Sequence, residues 1–158
     1  MRAIAFAALP LALAACSEPS DLLVPPGTFT VVLSVTARDS TGGTAAFGAS
    51  AAKFFVQMDS PRYQVFLLNI PSHLQPGKYQ MSGIPAADGT VPDTYMILNM
   101  PGNQLRSRSG VLTVLQADAT QLAGVAEIDA YDSLTLTQNF THVTLRFNAT
   151  CGELYACP

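Results

Sequence analysis

Charge is scarce in this 158-residue sequence: 12% of the residues are charged, eight basic against eleven acidic, for a formal net charge of −3. The basic residues are scattered, and only Arg106 and Arg108 fall close together, where they read as two solvated charges in a loop. Nucleic-acid binding needs a basic stripe, so nucleic acid is excluded as a partner. Helical periodicity is lacking too. After residue 15 no segment sustains apolar residues at i, i+3, i+4 and i+7 with caps, although residues 118–122 suit a single helical turn. Nor does any later apolar run approach the ~20 residues that a membrane-spanning helix needs.

Complete catalytic sets are missing as well. Ser50-Ala51-Ala52-Lys53 matches the S-x-x-K signature of penicillin-recognising serine enzymes, yet the companion S-D-N and K-T-G motifs are absent. Phe54-Phe55-Val56 also reads as strand where that signature wants a helix. There is no G-x-S-x-G elbow. Histidine occurs twice. His73 follows Ser72 in a proline-bounded loop, and His142 sits in a strand with Phe140, Thr144, Arg146 and Asn148 on its solvent face. Glu127 and Asp129 share one strand face, with Asp132 just beyond. Their oxygens suit calcium only if a loop carbonyl joins them, and a solvated strand face is the simpler reading. No catalytic residue, metal or cofactor is therefore assigned.

What the chain does have begins at its start. One positive charge at Arg2 precedes an apolar run over residues 3–15, too short to span a bilayer and suited to a secretory signal. The run ends in Leu13-Ala14-Ala15-Cys16, which resembles the lipobox of bacterial lipoproteins. The resemblance implies cleavage before Cys16, a diacylglyceryl group on its sulfur and an acylated new amino terminus. More than one acyl chain makes membrane attachment stable. Ser17, standing where an aspartate would signal inner-membrane retention, implies the outer membrane. The mature chain keeps seven basic and eleven acidic residues, a net charge of −4.

With Cys16 given to lipid, Cys151 and Cys157 remain as an even pair in an oxidising compartment, which favours a disulfide. Closing so small a loop contributes about 2–2.5 kcal/mol in a chain-entropy description. A zinc site on the same thiols needs further Cys or His ligands nearby. Residues 16–27, with three prolines and no period, read as a tether. About 143 mature residues suit one domain, here 28–158.

From Thr28 the pattern has period two: Phe29, Val31, Leu33, Val35 and Ala37 alternate with polar residues, the mark of a half-buried strand. Asp39-Ser40-Thr41-Gly42-Gly43 supplies turn residues, and 44–58 returns antiparallel with a break near 48–50. Further strands are expected at 62–70, 77–82, 94–100, 110–116, 122–131 and 140–151. About eight short strands with turn signals between them predict an all-β antiparallel sandwich. An eight-stranded transmembrane barrel competes. The lipid anchor, the short 77–82 strand and the lack of aromatic girdles argue against it.

"SGVLTV" (109–114), "LAGVAEIDA" (122–130) and "VTLRFNA" (143–149) resemble the closing strands of small secreted bacterial β-sandwich proteins of unassigned function. An aromatic residue commonly follows the glycine in that pattern, where Val125-Ala126 stand here. The resemblance implies a fold and no activity. Gly124 itself reads as a bulge or a close approach of backbones. The expected function is a non-enzymatic binding or structural module, lipid-anchored at the outer membrane, with an envelope protein or a glycan as partner. The alternatives are a periplasmic hydrolase built on Ser50 or on Glu127 and Asp129, and a carrier of a small apolar ligand.

Overall fold

Alternation carries through to the structure: Phe29, Val31 and Leu33 turn inward and are buried, while Thr30 and Ser34 face out. The computed structural model describes residues 23–34, 38–50, 53–83, 93–133, 140–152 and 157, with backbone alone for 38, 39 and 50. The expected signal segment 1–15, Cys16 and most of the expected tether 16–27 lie outside the described residues.

Among the described residues there are nine strands: β1 (Thr28–Ser34), β2 (Arg38–Ser50), β3 (Lys53–Asp59), β4 (Gln64–Pro71), β5 (Gly77–Ser82), β6 (Tyr95–Met100), β7 (Asn103–Ala117), β8 (Gln121–Asp132) and β9 (Phe140–Cys151). The chain is all-β, but the expected sandwich is replaced by a barrel. Eight strands pair antiparallel in the ring β1-β2-β3-β4-β6-β7-β8-β9, which closes where β9 meets β1. The strand that decides this is β7. Sequence reading began it at 110, whereas it starts at Asn103, because Arg106 and Arg108 disguise its first third as loop. That third pairs with β6 on one edge and with the end of β8 on the other, joining the two ends of what would otherwise be one open sheet.

Other boundaries move for local reasons. Residues 39–43, expected as a turn, are strand paired to β1. Segment 44–58 contributes to two antiparallel strands, with Ser50, the last residue of β2, paired to Lys53, the first of β3. At 118–120 the chain makes a bend rather than a helical turn. There Asp118 Oδ1 accepts hydrogen bonds from the Thr120 hydroxyl and from the backbone N–H groups of Thr120 and Gln121. With the Gln116 amide donating to its other oxygen, the Asp118 carboxyl is lowered to about 2.

Closure needs curvature, which extra residues in one strand of a pair provide. Leu68 and Asn69 of β4 together oppose Phe55 of β3, and Asn69 takes a left-handed backbone (φ 59°), which asparagine tolerates better than most side chains. In β7, Arg108 and Leu115 are the inserted residues. β5 and β6 share one edge of β7, lying end to end against 109–114 and 103–106.

Ser107 rivets that junction. Fully buried, its hydroxyl donates to Ser82 O and accepts from Met96 N, each at 2.9 Å. Ser107→Ala leaves both backbone groups without this partner in a dry place and is expected to cost about 1–3 kcal/mol. Chemical denaturation, with hydrogen exchange at Met96 as the local reporter, checks it.

The interior is apolar and filled. Phe29, Phe47, Phe147, Met58, Leu67, Ile70, Met96, Leu98, Leu112, Leu122, Ile128 and Leu145 are essentially without solvent contact. Outward positions carry Gln57, Gln64, Arg106, Glu127, Asp129, His142 and Arg146, with partly buried Val32, Phe55, Phe66, Ile97, Val111 and Val125 among them. Lipid-facing barrels distribute polarity the other way, with apolar side chains outward and polar ones inward.

The end of the tether is docked. Asn148, on the outer face of β9 yet 3% exposed, donates from its amide to Val24 O at 2.8 Å and accepts from the Gln121 amide. Gly27 N donates to Asn148 O at 2.7 Å. The part of the chain held to the barrel thus begins at Val24 rather than at Thr28. At the same end of β9, Cys151 and Cys157 are joined, with Cα atoms 6.0 Å apart.

Candidate functional site

Because a filled barrel turns its reactive side chains outward, candidate chemistry is a question of which outward residues meet. The residues of the hydrolase reading do not. Ser50 ends β2 and Lys53 opens β3, so S-x-x-K spans a strand–turn–strand hairpin and no helix opens at the serine. β1 and β9 stand between β2 and the carboxylates of β8. His73 is exposed in the loop after β4, away from them.

A cluster does form on β8 and β9. Antiparallel register sets Asp129 opposite His142 and Glu127 opposite Thr144. The His142 ring lies between the two carboxylates, Nδ1 at 3.1 Å from Asp129 Oδ1 and Nε2 at 2.9 Å from Glu127 Oε2. The Thr144 hydroxyl donates to the same Glu127 oxygen at 2.9 Å. About half of each ionic side chain remains exposed: 47% for His142, 50% for Glu127 and 57% for Asp129. The hydrogen bond to Asp129, above all, holds the imidazole above its ordinary 6.5. Partial desolvation opposes this, and the Glu127 hydrogen bond and both negative charges add to it.

This geometry limits the chemistry. In a serine-type triad one imidazole nitrogen faces the nucleophile and the other an orienting acid. Here an acid occupies each nitrogen, and the nearby hydroxyl is bound to Glu127. A cation shared by Glu127 and Asp129 would have to displace the ring between them, and among the described residues no three His, Cys, Asp or Glu side chains are arranged to hold a metal ion.

The second half of the site comes from the β7 insertion. Ser107 opposes Ala130 and Ser109 opposes Asp129, so Arg108 is extra and is turned outward beside Ser109. Its guanidinium stacks over the Phe140 ring, 4.7 Å from the centroid. Phe140 is the one large hydrophobic residue standing well into solvent among the described residues, at 47% exposure. Together with Ser109 and Asp129, the pair lines a shallow surface hollow. Tyr131 faces Phe140 across the β8–β9 pairing and Arg106 across the β7–β8 pairing.

The alternation of β9 signals that Phe140, His142 and Thr144 share a face. The role of Arg108 has no such signal, since a single inserted residue leaves no periodic mark.

The raised imidazole has a checkable consequence. A histidine whose folded pKa lies above its unfolded value contributes stability fully below about 6.5, and loses it as pH rises through the folded value. Imidazole titration by NMR is expected to give a His142 midpoint above 6.5 that falls back toward it in Asp129→Asn. Added salt should shrink the shift, because the pair is open to solvent.

No protein-family model, curated protein or solved structure matches this chain.

Proposed function

We propose that the chain is a non-enzymatic binding module, held at the outer membrane by lipid on Cys16, whose contact surface is the outer face of β7, β8 and β9. The observation that carries the reading is the Arg108–Phe140 stack beside the His142 cluster. An inserted residue re-aims an arginine onto a solvent-facing phenylalanine, and such insertions commonly re-aim side chains beside functional sites. Under Arg108, Phe140 still keeps 47% of its surface in solvent, apolar area that a partner gains by covering.

Two measurements test it. Radiolabelled palmitate incorporation is expected in the wild type and absent in Cys16→Ala; retention of label in the variant refutes the anchor. A photocrosslinking residue at position 140 in living cells is expected to give a discrete adduct missing from the same residue at Lys53, which β2, β1 and β9 separate from β8. Identical adducts at both positions would refute the contact surface.

A further inference from the structure

We propose that the hollow beside Phe140 binds a neutral polysaccharide, one sugar ring lying on the phenylalanine while Arg108, Ser109 and Asp129 hydrogen-bond its hydroxyls. The inference rests on the binding-module reading and names the ligand class for that surface.

Shape and chemistry favour this occupant. A pyranose presents an apolar C–H face that packs on an aromatic ring, and a rim of hydroxyls that both donate and accept. The hollow supplies the matching set: the Phe140 ring, a guanidinium that only donates, a carboxylate that only accepts, and the Ser109 hydroxyl that does both. Arg108 and Asp129 enter from opposite sides of the β7–β8 pairing, and His142 fixes the Asp129 carboxylate from behind. Asp129 keeps lone pairs for a ligand, since a carboxylate offers about four acceptor sites.

Charge argues against the other small-ligand classes. Arg108 stands beside two carboxylates, Glu127 and Asp129, so charges of both signs meet in the cluster. An anionic ligand approaching Arg108 also meets two carboxylates. A cationic ligand seeking the aromatic ring is repelled by the guanidinium beside it, which a neutral ligand is not. A protein partner needs a broader surface, about 800 Å² on each side, and strong apolar exposure here is confined to one residue among those described.

The test uses the full-length lipidated protein in detergent micelles. Co-sedimentation is measured with insoluble β-1,3-glucan, β-1,4-glucan and chitin, beside an acidic polysaccharide and anionic phospholipid vesicles. Binding to at least one neutral polysaccharide is expected, weakened about tenfold or more in Phe140→Ala and kept in Phe140→Tyr. Soluble oligomers of that polysaccharide should shift the His142 imidazole resonances. Because Phe140 is half-exposed, both variants should melt close to the wild type.

No binding to any neutral polysaccharide, binding indifferent to Phe140→Ala, or preference for the acidic polymer or the vesicles would overturn the proposal. A discrete protein adduct at position 140 without sugar binding overturns the glycan and leaves the binding module standing. Absence of both overturns both.

Discussion

Phe147→Ala is expected to destabilise the barrel by about 3–5 kcal/mol, a large share of the roughly 5–15 kcal/mol by which a domain of this size is stable. Phe147 is 1% exposed, and its neighbours cannot collapse into the space it would leave. It pairs with Gly124 of β8 on one side and with Phe29 of β1 on the other. Phe29 in turn pairs with Gly43 of β2. One interior layer thus reads Gly124, Phe147, Phe29, Gly43, two rings flanked by two residues without side chains. Small barrels fill their taper by setting large side chains beside small ones. The rings lean over the glycines: a Cβ built on Gly124 would stand 3.2 Å from Phe147 Cζ, and one on Gly43 3.0 Å from Phe29 Cε1. Removing Phe147 therefore opens a void walled by backbone. Urea denaturation should show a lower midpoint at an unchanged slope; a loss below about 1 kcal/mol would mean that the layer is not packed as described.

The converse experiment overfills the same layer. Gly43→Ala is expected to cost about 1–3 kcal/mol, the upper end being favoured by the identity of its neighbour. The added methyl would stand 2.1 Å from the carbonyl oxygen of Asp59, a backbone atom in the β2–β3 pairing that cannot rotate aside. Trimming the neighbouring ring should not rescue it, so Phe29→Leu in the Gly43→Ala background is expected to be less stable than either single variant. Thermal melting of the four proteins decides this. Rescue by Phe29→Leu would show that the ring, rather than the strand spacing, is the obstacle.

These glycines also show where sequence reading stops. Gly42-Gly43 follows Asp39-Ser40-Thr41, and such a run is good turn chemistry, so a turn was the local expectation. The structure uses both glycines inside a strand, where backbones approach too closely for a side chain. For Gly124 a close approach was one of two readings open. The structure realises it, and sets an inserted residue, Leu115, in the facing strand. The sandwich expectation failed for a related reason. Strand alternation looks the same whether a sheet packs on a second sheet or curls onto itself, and the segment that closes the ring is written in arginine, serine and glutamine rather than in valine and isoleucine.

The site was half legible. Alternation placed Phe140, His142 and Thr144 on one face of β9, and Glu127 and Asp129 on one face of β8. Which carboxylate meets which nitrogen depends on the β8–β9 register. The placement of Arg108 depends on one extra residue in β7. Neither is encoded in the spacing of any single segment.

By itself, the amino-acid sequence determined the all-β class and the inward and outward sides of most strands, because side-chain alternation is a property of short stretches of chain. Only the tertiary structure decided that the sheet closes, that glycines make room for Phe29 and Phe147, and that an arginine from β7 covers a phenylalanine from β9. The physical reason is that closure, layer packing and inserted residues are relations between strands far apart in the chain, where hydrogen-bond register and available volume rather than local preference set the answer.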